Sequence, residues 1–551
     1  MPQSKYYFMQ ITGQKQNINY NNGDQPFNKN EAILCIFCVL FALLAYLTHL
    51  EYLPLNNDTD EGRRALVTAE MMLSGNYLTP TINGEIYLNK PPLYNWIVAG
   101  YFRLFGDYTM FAFRLPVIIA CSGMFLTVYY FVKKYTNRRI AFFTAFAFFT
   151  NGRILIYDSL LGLIDATFSW VIYLMIMLIF FYGQKKKYYP LFIVTYFLVA
   201  LGFLMKGLPS LVFQIVTLLV YFIMTRDFKK LFHPAHFVGI AVFLLITGVY
   251  YFGFLSNNPV TERMVFAKLL QESVQRTGLK FGIWPTIMHI VTFPFEFIYH
   301  FAPWTIFAIA LLHKKVWEYV WKNAFIHYSL LVFLANISVY WISPQVYARY
   351  LFMFIPIFFS ILFYFFFSIV RENSWQKNLI HSIIIGITLL LWVSCLPLPF
   401  LNELKNVSYI YLKTTFLFVI LGAVTFIVLK KPQYRMHAFA FAVVIMRLAF
   451  NWLILEQRGK RYFEAKALSD KIVSITKSHD LYLLSHAHVG NFDGMSFYIS
   501  TQRQEVLRYN STIEKNAFYI ADFKQLDTLK NYTEYLRFNN HLSDSLKLVK
   551  F

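Results

Sequence analysis

Long apolar runs, separated by short polar segments, occupy the chain between residues 33 and 455. Most of these runs are about 17–25 residues long, which is the length that an α-helix needs to cross a hydrocarbon layer of about 30 Å. The pattern therefore predicts about thirteen membrane-spanning helices. They are expected near residues 33–50, 113–132, 140–156, 162–182, 190–205, 208–225, 236–255, 286–312, 324–342, 350–370, 379–400, 412–429 and 438–455.

The composition and the charge agree with a polytopic membrane protein. Of the 551 residues, 57% are hydrophobic and only 14% are charged, whereas soluble domains carry about 25% charged residues. The net charge of +21 could indicate a nucleic-acid partner, but the basic residues lie mostly in short loops between spans, as is typical of cytoplasmic loops. No nucleic-acid partner is therefore expected. All four cysteines fall in apolar runs, so neither a disulfide framework nor a zinc site is predicted.

The same pattern divides the chain into three parts. Residues 1–32 are a polar, cytoplasmic tail, residues 33–455 are the transmembrane domain, and residues 456–551 return to an ordinary composition. An odd number of spans places this last part on the outer face. A helical pattern at 464–478 and short β-like runs at 481–485, 497–500, 505–508, 517–523 and 546–551 predict a small α/β domain there. His486, His488 and Asp493 could form a metal site, but surface-loop side chains are the favoured interpretation.

Residues 51–112 are the most polar interruption of the apolar pattern. The predicted topology places them on the outer side, and we call them the first external loop. Apolar residues at helical spacing predict a helix that begins at Asp60 and Glu61 and ends at Gly75. A second helix is expected to begin after Lys90 at two prolines and to end at Gly106. Carboxylates at a helix N-terminus face the positive end of the helix dipole. We expect two amphipathic helices with charged N-termini on the membrane surface.

Polar side chains that are costly beside a membrane converge on the predicted outer face. They are Asp60, Glu61, Arg63, Lys90, Asp158, Asp165, Lys206, Arg276, Arg349 and Tyr350. Each has a structural alternative: Asp60 could cap its helix, Asp158 could pair with Arg153, and Lys206 and Arg349 could extend to the interface. Lys90 opposes the dipole of the helix that follows it, which an anion would explain. Carboxylates and cations at an interface suit transfer of a group from a lipid phosphate to an acceptor.

Five short motifs lie among these residues. They are Asp60-Glu61-Gly62-Arg63, Arg153 with Asp158, Lys206-Gly207-Leu208-Pro209, Pro303-Trp304 and Arg349-Tyr350-Leu351. In these motifs the chain resembles the membrane-embedded GT-C glycosyltransferases, specifically the bacterial aminoarabinose transferases that modify lipid A and, more distantly, the protein O-mannosyltransferases. The resemblance covers roughly the first 360 residues. It implies an all-α polytopic membrane protein of GT-C type, with amphipathic helices in the first external loop and a small C-terminal α/β extracytoplasmic domain.

The resemblance also implies a function. It predicts an inverting transferase of the bacterial inner membrane that moves a sugar from a polyprenyl phosphate, such as undecaprenyl phosphate, to a lipid A-like or other acceptor on the periplasmic face. Asp60 is expected to be the catalytic carboxylate and Asp158 a second acid. Substrate contacts are expected from Glu61, Arg63, Lys90, Lys206, Arg276, Arg349 and Tyr350.

Two points of this interpretation stay open. The family often has Glu-Lys-Pro where this chain has Asn89-Lys90-Pro91, so a divalent metal is possible but unsupported, and no other cofactor is expected. Protein glycosylation of the O-mannosyltransferase kind is one alternative function, and a transporter or lipid flippase is another. A transporter usually shows repeats and places its ionisable residues near the bilayer midplane, whereas the charges here fall at span ends on one side.

Overall fold

The structure is a computed structural model, and it describes residues 27–55, 60–259, 264–265, 267–268, 281–369, 374–484, 492–527, 529, 531–539 and 545–551. Helices dominate residues 29–453. They are α1 (Lys29–Leu47), α2 (Asp60–Ser74), α3 (Leu93–Phe105), α4 (Met110–Tyr135), α5 (Arg138–Phe149), α6 (Gly152–Ile156), α7 (Asp165–Gln184), α8 (Tyr188–Lys206), α9 (Pro209–Met224), α10 (Pro234–Asn257), α11 (Ile283–His300), α12 (Val316–Lys322), α13 (Ala324–Trp341), α14 (Ile355–Ile369), α15 (Trp375–Val393), α16 (Ile410–Lys430) and α17 (Arg435–Leu453).

Among the described residues, nine helices are long and apolar enough to cross a membrane, or ten if α5 and the bent segment Gly152–Leu160 form one broken span. Two further apolar helices, Pro209–Met224 and Ile355–Ser368, are shorter. The predicted run at 286–312 is divided, because α11 ends at His300 and a 3₁₀ helix follows at Trp304–Leu312. A polytopic helical core is confirmed, and the number of thirteen spans stays a prediction.

The break between α5 and α6 has a local cause. Asn151 caps α6, because its side-chain oxygen accepts hydrogen bonds from the backbone N–H groups of Arg153 and Ile154. The chain bends there by 43°. The backbone N–H of Gly152 donates to the carbonyl of Ala302 at 2.8 Å, and a Cβ at Gly152 would lie 3.1 Å from that oxygen. The bend carries Arg153 and the 3₁₀ turn Asp158–Leu160 to the end of the bundle where the first external loop lies.

The two helices of the first external loop are confirmed. α2 begins at Asp60 and ends before Gly75, whose φ is +70°. α3 begins after Pro92 and ends at Gly106, whose φ is +71° and which therefore adopts the left-handed conformation that glycine reaches without a Cβ clash.

A small hairpin between these helices, β1 (Thr81–Ile82) and β2 (Glu85–Ile86), was not predicted. The buried carboxylate of Glu70 holds it by accepting from Thr81 Oγ1 (2.6 Å), the Asn83 N–H (2.6 Å) and the Gly84 N–H (3.2 Å).

The described residues of the C-terminal domain form a mixed five-stranded sheet with two long helices on one face. Its elements are α18 (Leu455–Thr476), β3 (Leu481–Leu483), α19 (Asp493–Arg503), β4 (Arg508–Tyr509), β5 (Phe518–Asp522), α20 (Phe523–Leu526), β6 (Thr533–Asn539) and β7 (Ser545–Lys550). The strand order is β4-β3-β5-β7-β6, with β3 parallel to β4 and β5 and the other pairs antiparallel. Ile472 of α18 and Ile499 of α19 pack with Leu483, Ile520 and Leu548 of the sheet.

The α/β class predicted for this domain is confirmed, but three details were wrong. The run predicted at 505–508 coincides with a strand only at Arg508, where β4 begins. Residues 497–500 lie within α19 and not in a strand, because that helix is buried along its length and shows no single apolar face from which its period could be read. Strand β6 was not predicted, although it pairs with β7 along the edge of the sheet.

Candidate active site

Asp60, the first residue of α2, lies in a network of charges at one end of the helical bundle. Its carboxylate accepts a hydrogen bond from Arg349 Nη2 at 2.8 Å, and Arg63 Nη1 lies 3.8 Å from its other oxygen. The Asp60 side chain is nevertheless 51% exposed. A carboxylate that is hydrogen-bonded to one guanidinium, lies close to a second and is open on its remaining side can contact a bound molecule.

A second carboxylate, Asp165, lies behind this pair. Asp165 begins α7 and Lys206 ends α8, and the Lys206 ammonium donates to Asp165 Oδ1 at 2.5 Å. Arg349 Nε lies 3.3 Å from the other Asp165 oxygen, so one guanidinium links the buried Asp165 to the open Asp60. The Lys206 ammonium also stands 3.9 Å from the centroid of the Tyr350 ring. Lys206 is therefore not a lysine that extends into the interface.

Two adjoining cavities open onto these charges. The smaller one, of about 110 Å³, is lined by polar groups that include Asp60, Arg63 and Tyr87. The larger one, of about 220 Å³, has an apolar wall that includes Leu208, Val212, Phe213 and Val339. The two cavities share four lining residues, Asn89, Lys90, Lys206 and Tyr350. The cations thus stand at the junction between a polar chamber and an apolar one.

The strand β2 leads directly into this junction. Tyr87 is the residue that follows β2, and its hydroxyl oxygen accepts a hydrogen bond from the Arg64 guanidinium. The Arg64 guanidinium carbon lies 5.0 Å from the centroid of the Tyr87 ring. Asn89 and Lys90 follow before the two prolines that precede α3. The hairpin held by Glu70 therefore fixes the segment from Tyr87 to Lys90 at the cavity wall.

Two predicted site residues lie elsewhere. Glu61 is 1% exposed, and Arg114 (Nε at 2.8 Å, Nη2 at 3.3 Å) and the Gly162 N–H (2.8 Å) occupy its oxygens. A substrate contact from Glu61 does not fit this geometry, because the side chain faces away from both cavities into the protein. Asp158 is also buried and forms a two-pronged ion pair with Arg153, at 2.9 and 3.3 Å, which is the structural alternative to a catalytic acid.

The remaining predictions are mixed. The structure brings Arg63, Lys90, Lys206, Arg349 and Tyr350 together around Asp60, as predicted. Arg276, His486 and His488 lie outside the described residues. Lys268, which no motif marks in the sequence, also lines the larger cavity. Asp165 was named among the polar residues at the outer face but was given no role.

Asp493 was interpreted as a surface-loop residue, and this was wrong. It is the first residue of α19, it is buried, and its Oδ2 accepts from Arg63 Nε at 3.1 Å. Burial raises the pKa of the Asp493 carboxyl, while the charge of Arg63 and its hydrogen bond oppose the rise. No sequence pattern announces this contact, because Arg63 and Asp493 are 430 residues apart.

Within the described ranges, no group of three or more His, Cys, Asp or Glu side chains is arranged to hold a metal ion. At the junction of the cavities, Asp165 is already neutralised by Lys206 and Arg349, and Asn89 contributes an amide where a carboxylate would suit a divalent ion better. The described part of this site is thus better suited to an anion than to a cation.

Comparison with known proteins agrees with this architecture. Residues 89–252 match the family model described as dolichyl-phosphate-mannose-protein mannosyltransferase. The chain superposes on ArnT from Cupriavidus metallidurans bound to undecaprenyl phosphate with a TM-score of 0.66 and 18% identity, over 93% of this chain and 97% of that one. The protein has the GT-C fold. The GT-C resemblance inferred from the motifs is confirmed, and so is the fold class.

Curated relatives match over shorter stretches of this GT-C chain. An undecaprenyl phosphate-alpha-4-amino-4-deoxy-L-arabinose arabinosyl transferase of Shewanella sediminis is 26% identical over 182 residues, 30% of this chain and 31% of the relative. An uncharacterized protein of Aquifex aeolicus is 26% identical over 238 residues, 42% of this chain and 46% of the relative. The chain thus spans less than half the length of these relatives. The family match includes Lys90, Asp165 and Lys206 but not Asp60, Arg349 or Asp493.

Proposed function

We propose that the protein is an integral membrane glycosyltransferase that moves a sugar from a polyprenyl phosphate to an acceptor. The observation that carries this proposal is the pair of adjoining cavities, one polar and containing Asp60, the other with an apolar wall, which share Lys90, Lys206 and Tyr350. A polyprenyl phosphate sugar has the same three parts in the same order: an apolar chain, an anionic phosphate and a polar sugar.

The larger cavity suits the carrier lipid. Val212 and Phe213 belong to the apolar helix α9, and Val339 belongs to α13, which is long and apolar enough to span a membrane. Lys90, Lys206 and Lys268 line the same cavity and would hold the phosphate through charge-assisted hydrogen bonds. The fold match to a protein bound to undecaprenyl phosphate supports a lipid of this class.

The smaller cavity suits the sugar and the reacting groups. With the sugar seated there, the Asp60 carboxylate would accept the proton of an acceptor hydroxyl as its oxygen attacks the anomeric carbon. The bond from that carbon to the phosphate oxygen breaks, and the lysines at the junction stabilise the charge that develops on the departing phosphate. A single displacement of this kind inverts the anomeric configuration. If the acceptor is itself a phosphate, no base is required and Asp60 would position the sugar.

The proposed acceptor and membrane face rest on the loop charges and on the relatives. The basic loops of the sequence favour a site on the periplasmic face of a bacterial inner membrane, and the relatives named as arabinosyl transferases favour a lipid A-like acceptor. The match to the mannosyltransferase family model makes a protein acceptor the second candidate.

Sugar transfer by protein purified in detergent tests this proposal. The wild-type protein would be incubated with synthetic polyprenyl phosphate sugars and with lipid A or membrane-protein acceptors, and released polyprenyl phosphate and glycosylated product would be measured by mass spectrometry. Detergent leaves no second compartment, so a transporter would give no product.

Substitution of Asp60 tests the mechanism. Asp60→Asn is expected to keep donor binding while turnover falls by at least about a hundredfold, since general-base contributions are about 10²–10⁴-fold. Asp107→Asn, an exposed carboxylate in the same external loop, is the matched control and should keep its turnover. Near wild-type transfer by Asp60→Asn would show that Asp60 only caps α2.

A further inference from the structure

The C-terminal domain contacts the chain on both sides of Asp60 through one helix, α19. The Leu55 N–H, which precedes Asp60, donates to the Tyr498 hydroxyl at 2.8 Å. Arg63, one helical turn after Asp60, donates from Nε to Asp493 at 3.1 Å. Both contacts are long-range in sequence, since they join residues 443 and 430 positions apart. α19 is thus attached to the part of the first external loop that presents Asp60.

Arg63 is shared between the two carboxylates unequally. Its Nε forms a hydrogen bond with Asp493 at 3.1 Å, whereas its Nη1 lies 3.8 Å from Asp60, beyond hydrogen-bond distance. The Asp493 side chain is 11% exposed and that of Asp60 is 51% exposed. The tighter and better buried contact therefore fixes the plane of the guanidinium, which is rigid. Arg63 then presents a fixed positive charge to Asp60 at the wall of the smaller cavity.

We infer that Asp493 is a positioning residue of the transfer reaction. It fixes the guanidinium of Arg63, whose positive charge, 3.8 Å from Asp60 Oδ1, favours the working orientation of the Asp60 carboxylate. Asp493 does not itself line either cavity, so the inference gives it no direct contact with substrate. The surroundings of Asp60 then come from two regions of the chain. The transmembrane part supplies Arg349, and the C-terminal domain supplies Asp493. This inference rests on the proposed function.

A simpler role for Asp493 has to be separated from this one. A carboxylate in the first turn of a helix stabilises that helix through its dipole. Asn and Ser remove the negative charge from the first turn and also the ion pair with Arg63. The loss at the helix start appears in the unfolding midpoint, whereas the loss of positioning appears in kcat, so the two quantities separate the two roles.

The experiment measures kcat and donor KM for Asp493→Asn, Asp493→Ser and Asp493→Glu together with the thermal unfolding midpoint. We expect Asn and Ser to lower kcat between about tenfold and a hundredfold, because small misplacements of a catalytic group have effects of this size, while donor KM changes less than about twofold. Asp493→Glu keeps the negative charge and should recover most of the activity. Asp470→Asn is the control, since Asp470 of α18 accepts from Gln502 of α19 at 2.7 Å, away from the cavities.

A double substitution tests whether Asp493 acts through Arg63. In an Arg63→Gln background, Asp493→Asn should lower kcat no further, because the contact that it removes is already absent. Equal falls in both backgrounds, or a fall that follows the unfolding midpoint in every variant, would overturn the positioning role. Wild-type protein that transfers no sugar would overturn the proposed function, whereas active protein whose Asp493→Asn variant keeps its kcat would overturn only this inference.

Discussion

Glu61 offers the sharpest test of the geometry, because the motif and the structure give it different roles. In the motif it is a substrate contact, whereas in the structure it neutralises Arg114 in the interior, where both side chains are 1% exposed. We expect Glu61→Gln to destabilise the protein while leaving donor KM unchanged in the molecules that stay folded. The substitution preserves the size of the side chain and removes its charge.

The expected magnitude follows from the contacts. Removal of one partner from a buried ion pair costs about 3–5 kcal/mol. Arg114 Nη1 also donates to the carbonyls of Leu50 (3.0 Å) and Leu53 (2.7 Å), so the guanidinium keeps two acceptors in the variant. The glutamine oxygen can still accept from the Gly162 N–H. We therefore expect a loss of stability at the lower end of this range, about 3 kcal/mol. Such a loss lowers the ratio of folded to unfolded protein by about two orders of magnitude.

The assay is reversible unfolding in mixed detergent micelles with increasing denaturing detergent, combined with donor KM from the transfer assay. Glu318→Gln is the control: Glu318 pairs with Lys322 within α12, but these side chains are 53% and 52% exposed, so a loss below about 1 kcal/mol is expected. If Glu61→Gln is as stable as the wild type and raises donor KM, the interior role is refuted and the substrate role stands.

Two further predictions concern the wall of the cavities. Lys90→Met should weaken binding of a labelled polyprenyl phosphate by about 1.5–3 kcal/mol, whereas Lys430→Met, at the end of α16, should not; equal affinities would remove Lys90 from the phosphate site. Burial raises the pKa of Glu70 from 4.5 to about 7, against the opposing hydrogen bonds from Thr81, Gly84 and Asn83. Between these values the folded protein holds a proton that the unfolded chain has released, so stability should fall by about 3 kcal/mol as the pH rises through this window. Glu70→Gln should abolish that slope in the thermal unfolding midpoint, and an unchanged slope would assign it to another group.

Much of the fold was predictable because membrane spans are encoded locally. An apolar run of sufficient length specifies a helix without reference to its neighbours, and the loop helices were marked by Asp60, Gly75 and Gly106 at their ends. The hairpin at 81–86 was missed for the opposite reason. Its strands have two residues each, too few for a period to show, and Glu70 holds them from a different element.

For the candidate site, too, features encoded locally were predictable and features that depend on packing were not. Residue type and position, in the first external loop or at a span end, were enough to predict that Asp60, Lys90 and Lys206 lie on one face, since ionisable groups are rare beside a membrane without a function. Whether such a group faces a cavity or another side chain depends on packing. Glu61 was therefore predicted as a substrate contact and Asp158 as a second acid, although Arg114 and Arg153 pair with them in the structure.

The attachment of α19 to the first external loop has a consequence for biosynthesis. Leu55 and Arg63 are made early, whereas Tyr498 and Asp493 are made near the end of the chain. Contacts between such distant positions form late, because the intervening chain must be ordered first. A nascent chain would thus pass through membrane insertion before α19 contacts the loop that carries Asp60. On the positioning role inferred for Asp493, full activity would be reached only once the final domain has folded onto that loop.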